Sequence, residues 1–298
     1  MTPGIPDHLP ERKQRELSFV MQIIFEEFDT WQSGKSEKKC AGKILKLILF
    51  GSFARGDWVE DSDSGYRSDF DLLAVVNIHS FAEEHEIWSK IDDRLTREYS
   101  VLNRLQTPVK VIAHSLQDVN DQLARGVPFF FDIAKDGVVL FEEPGHPLAT
   151  PKPLTREAKF AEAQQHYDHW LRLSQEAYRG AEMMLGEGIW RDASFMLHQA
   201  TERAYHCLLL VITLYSPKSH RLKMLRSMAE RIEPRLIGAW PRDTKFARRC
   251  FERLDRAYVD ARYSPHYEIT SEELAWVLER IKDLQTIVKV VCQEHLTA

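Results

Sequence analysis

The stretch from residue 44 to residue 76 constrains the fold more than any other part of the chain. It reads ILKLILF, then GSFARGDWVEDSDSGYRS, then DFDLLAVV. Two apolar runs of strand length flank a turn region rich in Gly, Ser and Asp, which predicts two buried strands joined over one end of a sheet. The residues at the junctions carry chemistry. Gly51 and Ser52 follow the first run directly, and Asp69 and Asp71 open the second. In an extended segment, side chains two apart share a face, so the two carboxylates are expected to project together. Paired carboxylates form a hard oxygen site suited to Mg²⁺. A glycine lets the backbone approach a phosphate closely, Ser52 offers a hydroxyl, and Arg55 adds positive charge nearby.

The flanking sequence supplies the rest of an α/β unit. Leu17, Val20, Met21, Ile24, Phe25 and Phe28 fall at helical spacing and predict a helix over 11–31. Residues 80–103 read as one amphipathic helix, with Phe81, Ile87, Trp88, Ile91 and Leu95 on its apolar side. PVKVIAHS at 108–115 and DGVVLFE at 136–142 read as two further strands. Residues 142–154, EEPGHPLATPKPL, hold four of the thirteen prolines and read as a linker over 144–154. Everything beyond is helical in pattern: 160–185, 193–215, 221–232, 246–260 and 271–293. The second of these is apolar on nearly every side, as the centre of a bundle requires. TSEE at 270–273 is a capping-box pattern. The expected plan is an α+β chain, with a first domain at 1–143 containing a small mixed sheet, and an all-α bundle at 155–298.

Composition narrows the setting. With 298 residues, 29% charged and a net charge of −5, the chain has no global pull toward polyanions. Cys40, Cys207, Cys250 and Cys292 form no CxxC pair, which argues against a zinc ribbon or a disulfide scaffold. No run approaches a membrane span, and MTPGIPDHLPERKQREL lacks the apolar core of a signal peptide. A cytoplasmic protein with no membrane contact is expected.

GSFARGDW…SDFDLL resembles the GS-x-A-x-G…SD-x-D-L signature of the nucleotidyltransferase superfamily that includes DNA polymerase β, over about residues 40–142. The resemblance implies that Asp69 and Asp71 bind a divalent metal, Mg²⁺, and that Gly51 and Ser52 contact the triphosphate of an NTP, with ATP the expected nucleotide. It implies transfer of a nucleoside monophosphate to an acceptor hydroxyl on a protein, an RNA or a small molecule, with links to toxin–antitoxin systems; kanamycin nucleotidyltransferase has a related two-domain plan. Two departures stand out. EDSDSGYR, 60–67, looks like an inserted loop. The family's third carboxylate is missing from VKVIAHS, where Lys110, Ile112 and His114 share one face. His114 is a candidate base, but a histidine at a strand end is more often structural.

FMLHQATERAYHCLLLVITLYSPKSHRLKMLRSM, 195–228, resembles the HEPN family through Gln199, Ala200, Glu202, Leu208 and Leu209. RAYVDARYSPHYEIT, 256–270, resembles its later Y-x-x-A-R-Y segment. That resemblance, over roughly 156–295, implies a homodimer formed through the helical domain. Some HEPN proteins cut RNA with an arginine and a histidine that have four to six residues between them; the nearest candidates here, Arg262 and His266, have three between and fall short of that spacing. The alternative to a transferase is therefore a nucleotide-binding module of weak catalytic power with a dimerising HEPN half, or a HEPN ribonuclease. His166 and His169, the basic stretches 220–226 and 245–250, and the tryptophans of this half read as helix surface and core.

Overall fold

The computed structural model describes residues 4–33, 42–60 and 68–297; most of the inserted loop, and Cys40, lie outside them. The chain divides into two compact units, residues 1–154 and 155–298.

The first unit is built on a four-stranded mixed sheet of order β3-β2-β1-β4. Its strands are β1 (Ile44–Phe50), β2 (Phe70–Val76), β3 (Val109–Ser115) and β4 (Val138–Glu142). β1 pairs antiparallel with both β2 and β4, and β2 pairs parallel with β3. β2 is buried along its whole length, which explains why it reads as a continuous apolar run: a central strand covered on both faces has no solvent side to alternate with. On one face Leu47, Leu49, Leu72 and Ala74 pack with helix α1 (Glu11–Ser33), through Leu17, Val20 and Ile24, and with Ile87 and Ile91 of a later helix. One turn of helix, α2 (Ser52–Arg55), links β1 to the loop before β2.

The helix expected over 80–103 is two helices, α3 (His79–Ala82) and α4 (His85–Ser100). The Phe81 carbonyl, which an unbroken helix would give to residue 85, accepts instead from the Glu84 amide at 3.3 Å and the Trp88 indole at 2.7 Å. Between β3 and β4 lie α5 (Leu116–Arg125) and α6 (Pro128–Asp136), parted by Gly126 at φ 75°. A side chain on Gly126 would meet the Lys152 carbonyl at 2.0 Å. The proline-rich stretch therefore runs close along α5: Ala149 N–H donates to Asn120 Oδ1 at 2.7 Å and Lys152 N–H to the Leu123 carbonyl at 3.2 Å. Its later residues are laid on the first unit rather than held away from it.

The second unit comprises α7 (Arg156–Gly186), α8 (Trp190–Thr213), α9 (Leu222–Ile232), a 3₁₀ segment (Pro234–Ala239), α10 (Lys245–Tyr263) and α11 (Ser271–Thr297). α8 is the central helix and packs against α7, α9, α10 and α11. Its apolar surround is thereby accounted for. Thr155 and Thr244 cap α7 and α10, accepting from Ala158 N–H and Ala247 N–H. The capping box forms as expected: Glu273 N–H donates to Thr270 Oγ1 at 3.2 Å and Thr270 N–H to Glu273 Oε2 at 3.0 Å. Glu273 also takes Arg249 Nε at 2.7 Å and pairs with Arg253, so the box ties α11 to α10. Thr270→Ala is expected to cost about 1 kcal/mol, read as a drop in hydrogen-exchange protection over the first turn of α11. Cys207, Cys250 and Cys292 are buried free thiols. No helix among the described residues is long and apolar enough to cross a membrane.

Candidate functional site

The antiparallel register brings the Gly-Ser turn to the aspartates. Phe50, the last residue of β1, pairs with Asp71, so Gly51 stands directly over that side chain. Gly51 has φ 75° and ψ −152°, a region essentially closed to other residues. A Cβ placed there would lie 2.6 Å from Asp71 Oδ2. Asp71 is 1% exposed and Asp69 9%. Ser52 follows at the start of α2, and its carbonyl accepts from the Gly56 and Asp57 amides at 2.9 and 3.0 Å. A single turn carries little macrodipole, so the chemistry here rests on the Gly51 backbone, the Ser52 hydroxyl and the carboxylates. Arg55 is turned to the surface, where its Nε lies 3.2 Å from Asp57 Oδ2.

The parallel register adds a residue that the sequence reading named without giving it a role. Lys110 on β3 is paired with Asp71 on β2. Paired residues of neighbouring strands share a face, and the Lys110 ammonium forms an ion pair with Asp69 Oδ2. Both side chains are largely covered, at 17% and 12% exposure. His114 does not belong to this group. It is in register with Val75, four residues farther along β3 and so about 13 Å from Lys110. There its Nδ1 lies 2.5 Å from Asp118 Oδ2. That imidazole holds the Asp118 carboxyl below its usual range, against the opposing effect of burial. The register thus favours the structural reading of His114 over a base at the aspartates.

Does this donor set suit a divalent metal? Two carboxylates supply hard oxygens, but Asp69 already holds a cation. A doubly charged ion about 4 Å from an ammonium is opposed by roughly 8 kcal/mol at an effective dielectric near 20. With the Lys110 ammonium on Asp69, the charge at the pair disfavours Mg²⁺.

Beneath the turn lies a second polar group that sequence reasoning missed. Lys13 on α1 is 4% exposed. It donates to Thr107 Oγ1 at 2.6 Å and pairs with Glu60. Thr107 in turn donates to Glu16 Oε2 at 2.7 Å. The Lys13 ammonium stands 5.5 Å from the centre of the Phe53 ring. Val59 N–H donates to Ser68 Oγ and Ser68 N–H to the Val59 carbonyl.

The helical unit carries its own polar centre. Glu202, midway along α8, is 6% exposed. Three imidazoles face it. His220 Nδ1 is 3.1 Å from Glu202 Oε1, His198 Nδ1 is 3.5 Å from Oε2, and His206 Nε2 is 3.7 Å from Oε1. Burial alone would raise the Glu202 carboxyl, but the facing His206, His220 and His198 outweigh it and hold the group near pKa 2. His198 Nε2 donates to the His220 carbonyl at 2.9 Å. A carbonyl only accepts, so the neutral ring keeps its lone pair on Nδ1, which has no hydrogen-bond partner. Burial keeps His198 neutral by lowering its pKa to about 4. The spacing His198, Glu202, His206 at i, i+4 and i+8 puts all three on one helix face, a signal legible in sequence; His220, from the loop before α9, is not legible that way.

Arg262 and His266 have different surroundings. α10 ends at Tyr263, between them. Arg262 donates to the Tyr258 carbonyl at 2.6 Å, and its guanidinium stands over Tyr258, Phe195 and Tyr263 at 4.3, 4.8 and 5.0 Å from the ring centres. His220 stacks on the same Tyr258 at 4.0 Å. Two groups that close cannot share one face, so they bracket the ring. His266 is exposed in the turn that follows α10, with its amide on Ser264 Oγ.

No curated protein matches the chain. A family model does match the helical unit, and a HEPN domain is found at residues 167–291.

Proposed function

We propose that the chain is a nucleotide-binding protein, in which a nucleotidyltransferase-like first unit holds an NTP, expected to be ATP, without passing its nucleoside monophosphate on. The HEPN domain is the half that pairs two copies. The observation that carries the first part is the approach of the Gly51 backbone to Asp71, where a Cβ would be 2.6 Å from the carboxylate. It gathers Gly51, Ser52, Asp69 and Asp71 at one end of the sheet, in an arrangement open to phosphate only because residue 51 has no side chain. Transfer needs a group to take the proton of an acceptor hydroxyl. On β3, in register with Asp71, stands Lys110, which is a cation and not a carboxylate.

Pairing is supported by apolar side chains left in solvent. Met183 is 75% and Tyr263 73% exposed, with Trp190 and Val259 also exposed. Arg191 binds the carbonyls of Ala261 and Ser264, so the start of α8 and the end of α10, with Trp190 and Tyr263, form one region.

Calorimetric titration with ATP is expected to give saturable binding with one site per chain. Light scattering is expected to give twice the chain mass. Incubation with labelled ATP, cellular RNA and protein is expected to leave every macromolecule unlabelled. No ATP binding would overturn the reading of the turn; label on a macromolecule would overturn the absence of transfer.

A further inference from the structure

We propose that Lys110 stands in for the divalent cation at the aspartate pair, so that the first unit recognises the phosphates of a nucleotide through a fixed ammonium and needs no metal to do so. The inference rests on the nucleotide-binding reading above and deepens it.

The argument is one of position and charge. Asp69 and Asp71 flank Phe70 at the opening of β2, and Lys110 is the β3 residue in register with Asp71. Its ammonium reaches Asp69 Oδ2, one of the carboxylate oxygens that would otherwise be open to a cation. A metal between paired carboxylates and a polyphosphate does two things: it cancels repulsion between the anions, and it fixes the phosphate by direct contact. An ammonium can do both. It carries three N–H donors that can bridge a carboxylate and a phosphate oxygen, and charge-assisted bonds of this kind are short and strong. At 17% exposure the Lys110 side chain is screened little by solvent; it offsets one of the two carboxylate charges and keeps N–H donors for a phosphate entering over Gly51.

An ammonium also lacks what the metal adds. It does not organise six oxygens around itself, and it does not lower the pKa of an attacking hydroxyl. Substituting a lysine for a metal thus keeps recognition and forgoes transfer, which agrees with a β3 strand that presents Lys110, Ile112 and His114 and no carboxylate.

The test is ATP affinity, measured calorimetrically on the full chain in EDTA and again in millimolar Mg²⁺. Wild type is expected to bind with affinities within about threefold of each other. Lys110→Gln is expected to lose tenfold or more, the loss of a hydrogen bond to a charged group, and Lys110→Arg to retain most of the affinity. Lys110→Glu, which builds a third carboxylate, is expected to lose binding in EDTA and regain it with Mg²⁺. Wild-type binding that appears only with Mg²⁺ would overturn the inference while leaving the nucleotide site in place, as would Lys110→Gln binding like wild type. ATP failing to bind in either medium would remove the nucleotide-binding reading itself. The wild-type comparison needs no variant, so a misfolded substitution does not shield the proposal.

Discussion

Replacing Glu202 with alanine is expected to destabilise the HEPN domain by roughly 3–5 kcal/mol, the usual result of removing one partner from a buried charged group. The side chain is 8% exposed and faces three imidazoles. Its loss leaves His220 Nδ1 without its acceptor and the cluster without its anion. Glu202→Gln is expected to recover part of the loss. The amide oxygen still accepts from His220, and the amide N–H₂ meets the lone pair on His198 Nδ1, which in the native chain faces a carboxylate oxygen. Hydrogen exchange over α8 reads this unit separately from the first. A loss below 1 kcal/mol for the alanine variant would mean that the cluster does not support the bundle.

The same cluster sets the domain's response to acid. His198 has a folded pKa of about 4 against 6.5 in the unfolded chain. The unfolded state therefore binds the proton first as pH falls. Stability from keeping this ring neutral is fully present above about pH 6.5 and lost progressively toward pH 4, on the order of 3 kcal/mol in all. Glu202, near 2 against 4.5, has the same sign in a lower window: its contribution is present above about pH 4.5 and lost toward pH 2. Denaturation midpoints taken at intervals from pH 7 to pH 4 are expected to fall in wild type and to stay flatter in His198→Gln.

These two sites were legible in the sequence to different depths, and the reasons are physical. β1 and β2 announce themselves because burial on both faces demands unbroken apolar runs. The Gly-Ser turn and the aspartates announce themselves because few local structures need a glycine after one strand and carboxylates at the start of the next. Lys110 was visible as a non-acidic residue, but its pairing with Asp69 depends on the register between β2 and β3, which no local pattern states. The position of His114 is hidden for the same reason: alternation puts it on the face of Lys110 but says nothing of how far along the strand its partner lies. In the helical half, Gln199, Ala200 and Glu202 stood out as a pattern, whereas the role of Glu202 appears only when the loop delivers His220 to it. At Arg262 and His266 the sequence shows the two residues but not that α10 ends between them or that the arginine lies over Tyr258. The break between α3 and α4 was hidden because the Trp88 indole takes a backbone acceptor, a contact that helical periodicity does not report.

Gly51→Ala is expected to cost the first unit roughly 2–4 kcal/mol and to lower ATP affinity at least tenfold. Two penalties combine. The backbone at φ 75° and ψ −152° is nearly exclusive to glycine, a strain of about 1–3 kcal/mol. The new methyl would also sit 2.6 Å from Asp71 Oδ2, and Asp71 is buried in the central strand, so it has little room to yield. Gly56 offers a comparison. It has φ 83°, but a Cβ there would meet only a His8 ring carbon, at 3.7 Å. Gly56→Ala is therefore expected to show the backbone cost alone, about 1–2 kcal/mol, and to leave ATP affinity close to wild type. The excess at Gly51 combines its rarer backbone with the contact to Asp71; Gly51→Ala combined with Asp71→Ala isolates the contact and should show less than the summed cost, because the second change removes the atom in collision. Full additivity in the double mutant would mean that the Asp71 carboxylate does not lie beneath the turn, and the cradle proposed for the phosphates would lose its floor.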